Sequence, residues 1–219
     1  MKKVFKILVP IVIVIAIVVG LVLFLNNSKP KSNLPEITSG EDLVALVNKI
    51  YEGKTENLPM LDTQILDFVN TPETAQYATD IEDFSDIEYA VASLPMMNAQ
   101  AYSLTILKVK DGANVEEVAK MVNEKAQLNR WVCVCADKVL TTSSGNVVFS
   151  IMSNAETAQT IYDSFKEIAG GIGEEYVREF EQPEMPEDMM PGDLLPEDMV
   201  PAADGDMEPA VSDETVITE

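Results

Sequence analysis

The sequence contains no histidine, only two cysteines and one tryptophan, and it has 15 Lys and Arg against 37 Asp and Glu. Each shortage excludes something. Without histidine, the chain lacks the commonest general base and the commonest transition-metal ligand. Two cysteines cannot make a disulfide framework or a four-thiolate metal centre. A formal charge of −22 repels nucleic acid and anionic lipid headgroups, both of which need cationic partners. The motifs of the common enzymes are missing too: no G-x-S-x-G, no HExxH, no P-loop and no glycine-rich turn after a strand. Gly170-Gly171-Ile172-Gly173 follows a helical pattern and reads as a helix end. Ser28-Lys29-Pro30-Lys31 matches S-x-x-K only in letters, within a proline-containing tether. Among so many acids, a pair of carboxylates at glycosidase spacing is expected by chance. The composition therefore predicts a chain that is not an enzyme and holds no cofactor.

What is present begins with an uncharged run from Ile7 to Leu25, ILVPIVIVIAIVVGLVLFL. As a helix rising about 1.5 Å per residue it spans roughly 28 Å, close to the thickness of a bilayer's hydrocarbon core. Lys2, Lys3 and Lys6 precede it, and a positive-inside bias places residues 1–6 in the cytoplasm and the rest of the chain outside. A cleaved secretory signal is the alternative. The run is longer than an ordinary signal core, however, and Leu23-Phe24-Leu25 is a poor cleavage site. The expectation is a retained single-pass anchor at 7–25 in the cell membrane, then a polar tether at 26–37.

The folded domain is expected at 38–173. Ser39 and Asp42 resemble a capping box, and Leu43, Leu46, Val47, Ile50 and Tyr51 recur at helical spacing to about Gly53. Pro59 to Val69 reads as a short helix or turn-rich packing segment. Asp80, Glu82, Asp83, Asp86 and Glu88 form an acidic run that lacks the glycine-centred spacing and terminal Glu of an EF-hand, so it reads as a solvated loop. Strands follow at Ile87–Ser93 and Tyr102–Val109. Met96, Met97 and Asn98, in the loop between them, are the candidate contact surface, because exposed methionines adapt to many partners. Asn114 opens a helix carrying Val115, Val118, Ala119, Val122 and Ala126. Trp131–Cys135 reads as a strand, and Lys138–Thr142 and Val147–Met152 as a hairpin around Ser143–Asn146. A last helix carries Ala158, Ile161, Tyr162, Phe165, Ile168 and Ala169 and ends at Gly170-Gly171. The order predicts an α+β domain: one mainly antiparallel sheet with helices on one face, a two-layer sandwich.

Cys133 and Cys135 are spaced C-x-C. On a strand both thiols point to one face, beside Trp131. A bridge across one residue is strained and no other ligands are available for a metal, so both are expected as buried core thiols.

The block VASLPMMNAQAYSLTILKVKDGANVEEVAKMV, followed by RWVCVCADKVLTTSSGNVVFSIMS and a helix ending in YDSF, resembles an uncharacterised domain family. Members of that family are membrane- or lipid-anchored extracytoplasmic proteins of Gram-positive anaerobes. The resemblance covers about Leu43 to Phe165, and its strongest points are Pro95-Met96-Met97, Ala101-Tyr102-Ser103, and Arg130-Trp131 with Cys133. It implies a location outside the membrane and no reaction.

Residues 181–219 contain no Lys or Arg, and prolines 186, 191, 196 and 201 recur every five residues in the units PEDMM, PGDLL and PEDMV. Acidic, proline-rich and without periodicity, this tail is expected to be disordered. Its methionines, Met185, Met189, Met190, Met199 and Met207, are candidate thioether ligands for Cu(I), and its repeated Asp-apolar-apolar units are candidate docking motifs. A plain spacer is the simplest reading. Together these features predict a membrane-tethered extracytoplasmic binding or interaction module for an envelope protein or small ligand, with no nucleic-acid partner. An accessory subunit of an envelope complex is the second reading, and a wall-directed hydrolase the third.

Overall fold

A computed structural model describes residues 31–54, 58–97 and 99–181. The expected anchor at 7–25, Asn98 and the acidic tail from residue 182 lie outside the described residues. Among those described, no helix is long and apolar enough to cross a membrane.

The domain is α+β. Six strands, β1 (Leu61–Ile65), β2 (Ile87–Pro95), β3 (Tyr102–Val109), β4 (Lys138–Ser144), β5 (Val147–Ser153) and β6 (Tyr176–Glu179), form one sheet in the order β1-β2-β3-β5-β4-β6. Every neighbouring pair is antiparallel. Among the described residues four helices accompany them: α1 (Gly40–Tyr51), α2 (Pro72–Thr79), α3 (Val115–Lys125) and α4 (Ala155–Ala169). β3 and β4 run the same way with β5 inserted between them, so α3 crosses the sheet as a split β-α-β unit.

Local sequence explains the helix starts. Ser39 accepts from the Asp42 N–H, and the Asp42 carboxylate accepts from the Ser39 N–H, which completes the capping box. Asn154 caps α4 by accepting from the Thr157 N–H at 2.9 Å. Asn114 sits at the N-cap of α3 without a side-chain bond. Between β4 and β5 the turn is two residues, Gly145-Asn146, tighter than the four-residue turn expected from sequence. Gly145 has φ +61°, and the Ser32 side chain packs where its Cβ would point, so a glycine meets both demands there.

The helices cover both faces of the sheet, which corrects the expected two-layer arrangement. Leu43, Leu46, Val47 and Ile50 of α1 and Ala158, Ile161, Tyr162 and Phe165 of α4 pack with Leu104, Ile106, Phe149 and Ile151 on one face. Ala75 and Ala78 of α2 and Val115, Val118, Ala119 and Val122 of α3 pack with Ala90, Leu107 and Val148 on the other. All eight residues of β3 and all seven of β5 are buried, as a strand covered on both sides must be. Beneath α3 the face is partly polar. Thr105, Ser150, Thr141 and Tyr176 lie in register across four strands. Thr141 and Ser150 share a hydroxyl hydrogen bond of 2.8 Å, and the Asn123 side chain donates to Thr141 Oγ1 and to the Tyr176 carbonyl, each at 3.1 Å. These bonds satisfy Asn123, Thr141 and Ser150 within the buried row, as buried polar groups require.

Two segments differ from expectation in kind. Pro59–Val69 contains edge strand β1, and Trp131–Cys135 forms a loop with no strand. Beyond the predicted boundary at residue 173, β6 pairs with β4 and extends the sheet.

Candidate binding surface

One end of the sheet gathers the start of β1, the ends of β2 and β5, and the starts of β3 and β4. Met60 and Met96 are cross-strand neighbours there: the Met96 N–H donates to the Met60 carbonyl at 2.9 Å. Met60, Met96 and Met97 are 75%, 64% and 70% exposed. Two of the three predicted contact residues, Met96 and Met97, are thus at the surface, and Asn98 lies outside the described residues. Met60 is a further candidate that sequence reasoning missed, because the segment containing it and β1 did not read as a strand.

Beside this rim lies a cleft of about 390 Å³, lined by Leu58, Pro59, Gln100, Ala101, Tyr102, Val134, Cys135, Ser153, Asn154 and Thr157. A groove of about 670 Å³ adjoins it through Leu58, Asn154 and Thr157, and adds Lys54, Glu156 and Thr160. The walls are mixed: apolar side chains, amide and hydroxyl groups, and the first turn of α4. Below the cleft, the Tyr102 hydroxyl donates to Tyr51 Oη at 2.8 Å. Burial pushes the Tyr51 hydroxyl up to about 12, against the lowering effect of hydrogen bonds to Ser93 and Tyr102. Burial likewise holds Tyr102 well above its ordinary value, with Tyr51 adding to the shift. Both phenols stay protonated at neutral pH, so they serve as hydrogen-bonding floor and not as bases.

The cysteines are not core residues. Cys133 and Cys135 are free and exposed, which corrects the expected burial. The physical reason is local: Trp131 and Ala136 are the residues buried at the two ends of the loop, and Cys133 adopts φ +62°, which breaks the extended run that C-x-C alternation required.

The acidic run is divided. Asp80 pairs with Arg130 at 3.2 Å, both side chains only 7% exposed, and also accepts from the Gln127 N–H at 3.0 Å. Burial raises its carboxyl above the usual range, opposed by the Arg130 charge. Arg130 lies over the Tyr77 ring at 4.7 Å and donates to the Tyr77 carbonyl. Asp83 instead caps its own turn by accepting from the Ser85 N–H at 2.8 Å. Among the described residues no three His, Cys, Asp or Glu gather to hold a metal ion. The tail methionines considered for Cu(I) lie outside the described residues.

At the opposite end of the sheet the N-terminal segment docks. The Asn33 N–H donates to the Ala169 carbonyl at 2.8 Å. Ser144 Oγ lies 2.9 Å from Ser32 Oγ and donates to the Gly171 carbonyl at 2.6 Å. No family model, curated protein or solved structure matches the chain.

Proposed function

We propose that this chain is an extracytoplasmic binding or interaction module tethered to the membrane by residues 7–25, with the Met60, Met96 and Met97 rim and its adjoining cleft as the contact surface. The observation that carries this reading is the exposure of three methionines together at one end of the sheet. Exposed apolar groups that cluster have a use that singly scattered ones lack, and the flexible thioether side chain adapts its shape to a partner. Residues 32 and 33 dock at the other end of the sheet, so an anchored chain presents the rim away from its tether.

The test is a thermal-shift series on the full-length protein with muropeptides, sugars, nucleotides and amino acids. A ligand at about 100 times its Kd adds about 2.7 kcal/mol of stability. The reading expects the shift from any hit to disappear in Met97→Asp or Thr157→Arg, each of which melts like the parent without ligand. A shift untouched by both substitutions places the ligand elsewhere and overturns the assignment.

A further inference from the structure

Cysteine is among the residues most often buried, and exposed free thiols are uncommon on stable surfaces. Here the chain's two cysteines are both exposed, one residue apart. The loop that carries them is fastened at each end. Trp131 and Ala136 are buried with Leu128 and Met152, and the Ala136 N–H donates to the Leu128 carbonyl at 2.7 Å. Between these fastenings, residues 132–135 make no backbone hydrogen bond among the described residues. Cys133 holds the left-handed φ of +62° that non-glycine residues rarely adopt and that concentrates at functional sites. Cys135 lines the cleft.

Neither thiol contributes to packing. A bridge between them closes too short a loop to restrain the unfolded chain, so a structural staple is not its use. Among the described residues no further ligand gathers with them to make a set of three for a metal ion. What remains is the chemistry of the pair. We propose that Cys133 and Cys135 form a thiol–disulfide exchange site whose co-reactant is a peptide or protein disulfide. The Cys135 thiolate, facing the cleft, attacks one sulfur of that disulfide. The partner's S–S bond breaks, and its first sulfur leaves and takes up a proton. Cys133, as thiolate, then attacks the Cys135 sulfur of the mixed disulfide. The Cys133–Cys135 bond forms and the partner's second thiol leaves. The chain loses two electrons and two protons, and the partner disulfide becomes two thiols. A bridge across one residue is strained, and strained, exposed disulfides are the oxidising and labile kind, so the reverse step passes oxidation onward. Cys135 lines the cleft of the proposed contact surface, but the exchange chemistry stands whether or not that surface holds a ligand.

The experiment equilibrates the full-length protein in glutathione and glutathione-disulfide mixtures, quenches with acid, alkylates free thiols and weighs the intact chain. Both thiols are expected to disappear together, giving a product two hydrogens lighter than the dithiol. Cys133→Ser is expected to stop at one glutathione on Cys135 while melting at the parent temperature, since no packing is lost. Independent titration of the two thiols to singly and doubly glutathionylated chains overturns the proposal. So does a dithiol that stays reduced across the whole series.

Discussion

Replacing Arg130 by methionine isolates the one ion pair among the described residues that is buried on both sides. At 3.2 Å and an effective dielectric constant near 20, the Asp80–Arg130 attraction is about 5 kcal/mol. Removing the cation leaves a carboxylate that is 7% exposed with a single N–H donor from Gln127. Breaking a buried pair from one side costs about 3–5 kcal/mol, which for a domain of this size lowers Tm by roughly 6–20 °C. The loss carries a pH signature. Burial already raises Asp80, and without Arg130 the folded value rises further. Between the unfolded and folded values the native state binds the extra proton. Stability therefore falls as pH rises through that window and returns as pH falls, by up to about 1.4 kcal/mol per pH unit. Arg130→Met thus loses most above the folded Asp80 value and recovers on acidification. Adding Asp80→Asn, which keeps an acceptor for the Gln127 N–H, restores stability to within about 1 kcal/mol of the parent. Urea unfolding followed by fluorescence of the single tryptophan, Trp131, measures all three proteins. A single variant within about 1 kcal/mol of the parent, or a double variant as weak as the single, refutes the argument.

Three further outcomes test the fold. Phe149 stacks on Phe165 with centroids 4.4 Å apart, both side chains fully buried; Phe149→Ala costs about 3–5 kcal/mol in urea unfolding. Asn123→Ala removes the donor to Thr141 and to the Tyr176 carbonyl, costs about 1–3 kcal/mol, and raises amide exchange in β6 before the rest of the sheet. The Thr38 N–H, aided by the Thr38 hydroxyl and by Ser39, holds Asp42 below its ordinary value. Its contribution is present above the unfolded value and lost as pH falls through the folded one, so Asp42→Asn melts with a shallower dependence on acid than the parent.

Strong local patterns made much of the architecture legible in the sequence. The apolar stripes of α1, α3 and α4 and the β-rich runs of β2, β3, β4 and β5 all form the elements their periodicity predicts. The second helical layer escaped notice because Ser103, Thr105, Ser150 and Thr141 alternate with apolar residues, the pattern of a strand with one wet face. All four residues are buried, and Thr141 and Ser150 bond to each other while Ser103 Oγ has no partner among the described residues. The pairing of Thr141 with Ser150 is a satisfaction that only three-dimensional register supplies. β1 and β6 are short edge strands with little apolar content, and each pairs along one side only. The α2 segment is almost without apolar stripe, and it docks through Ala75 and Ala78 with the Asp80–Arg130 pair at its end. At Trp131–Cys135, β-propensity lost to tertiary context: Trp131 turns into a local core and carries the thiols outward. Of the candidate surface, Met96 and Met97 were visible in the sequence, whereas Met60 and the cleft depend on strand pairing.

The contact surface itself is tested most directly by photo-crosslinking in living cells, with a photoreactive residue at Met97 or at exposed Asp111. Asp111 follows β3 at the end of the sheet where the Val109 N–H bonds to the Asn146 carbonyl. The account predicts an adduct from position 97, none from position 111, and loss of the adduct when Met60→Asp is added. Adducts from position 111 alone, or equally from both, contradict it.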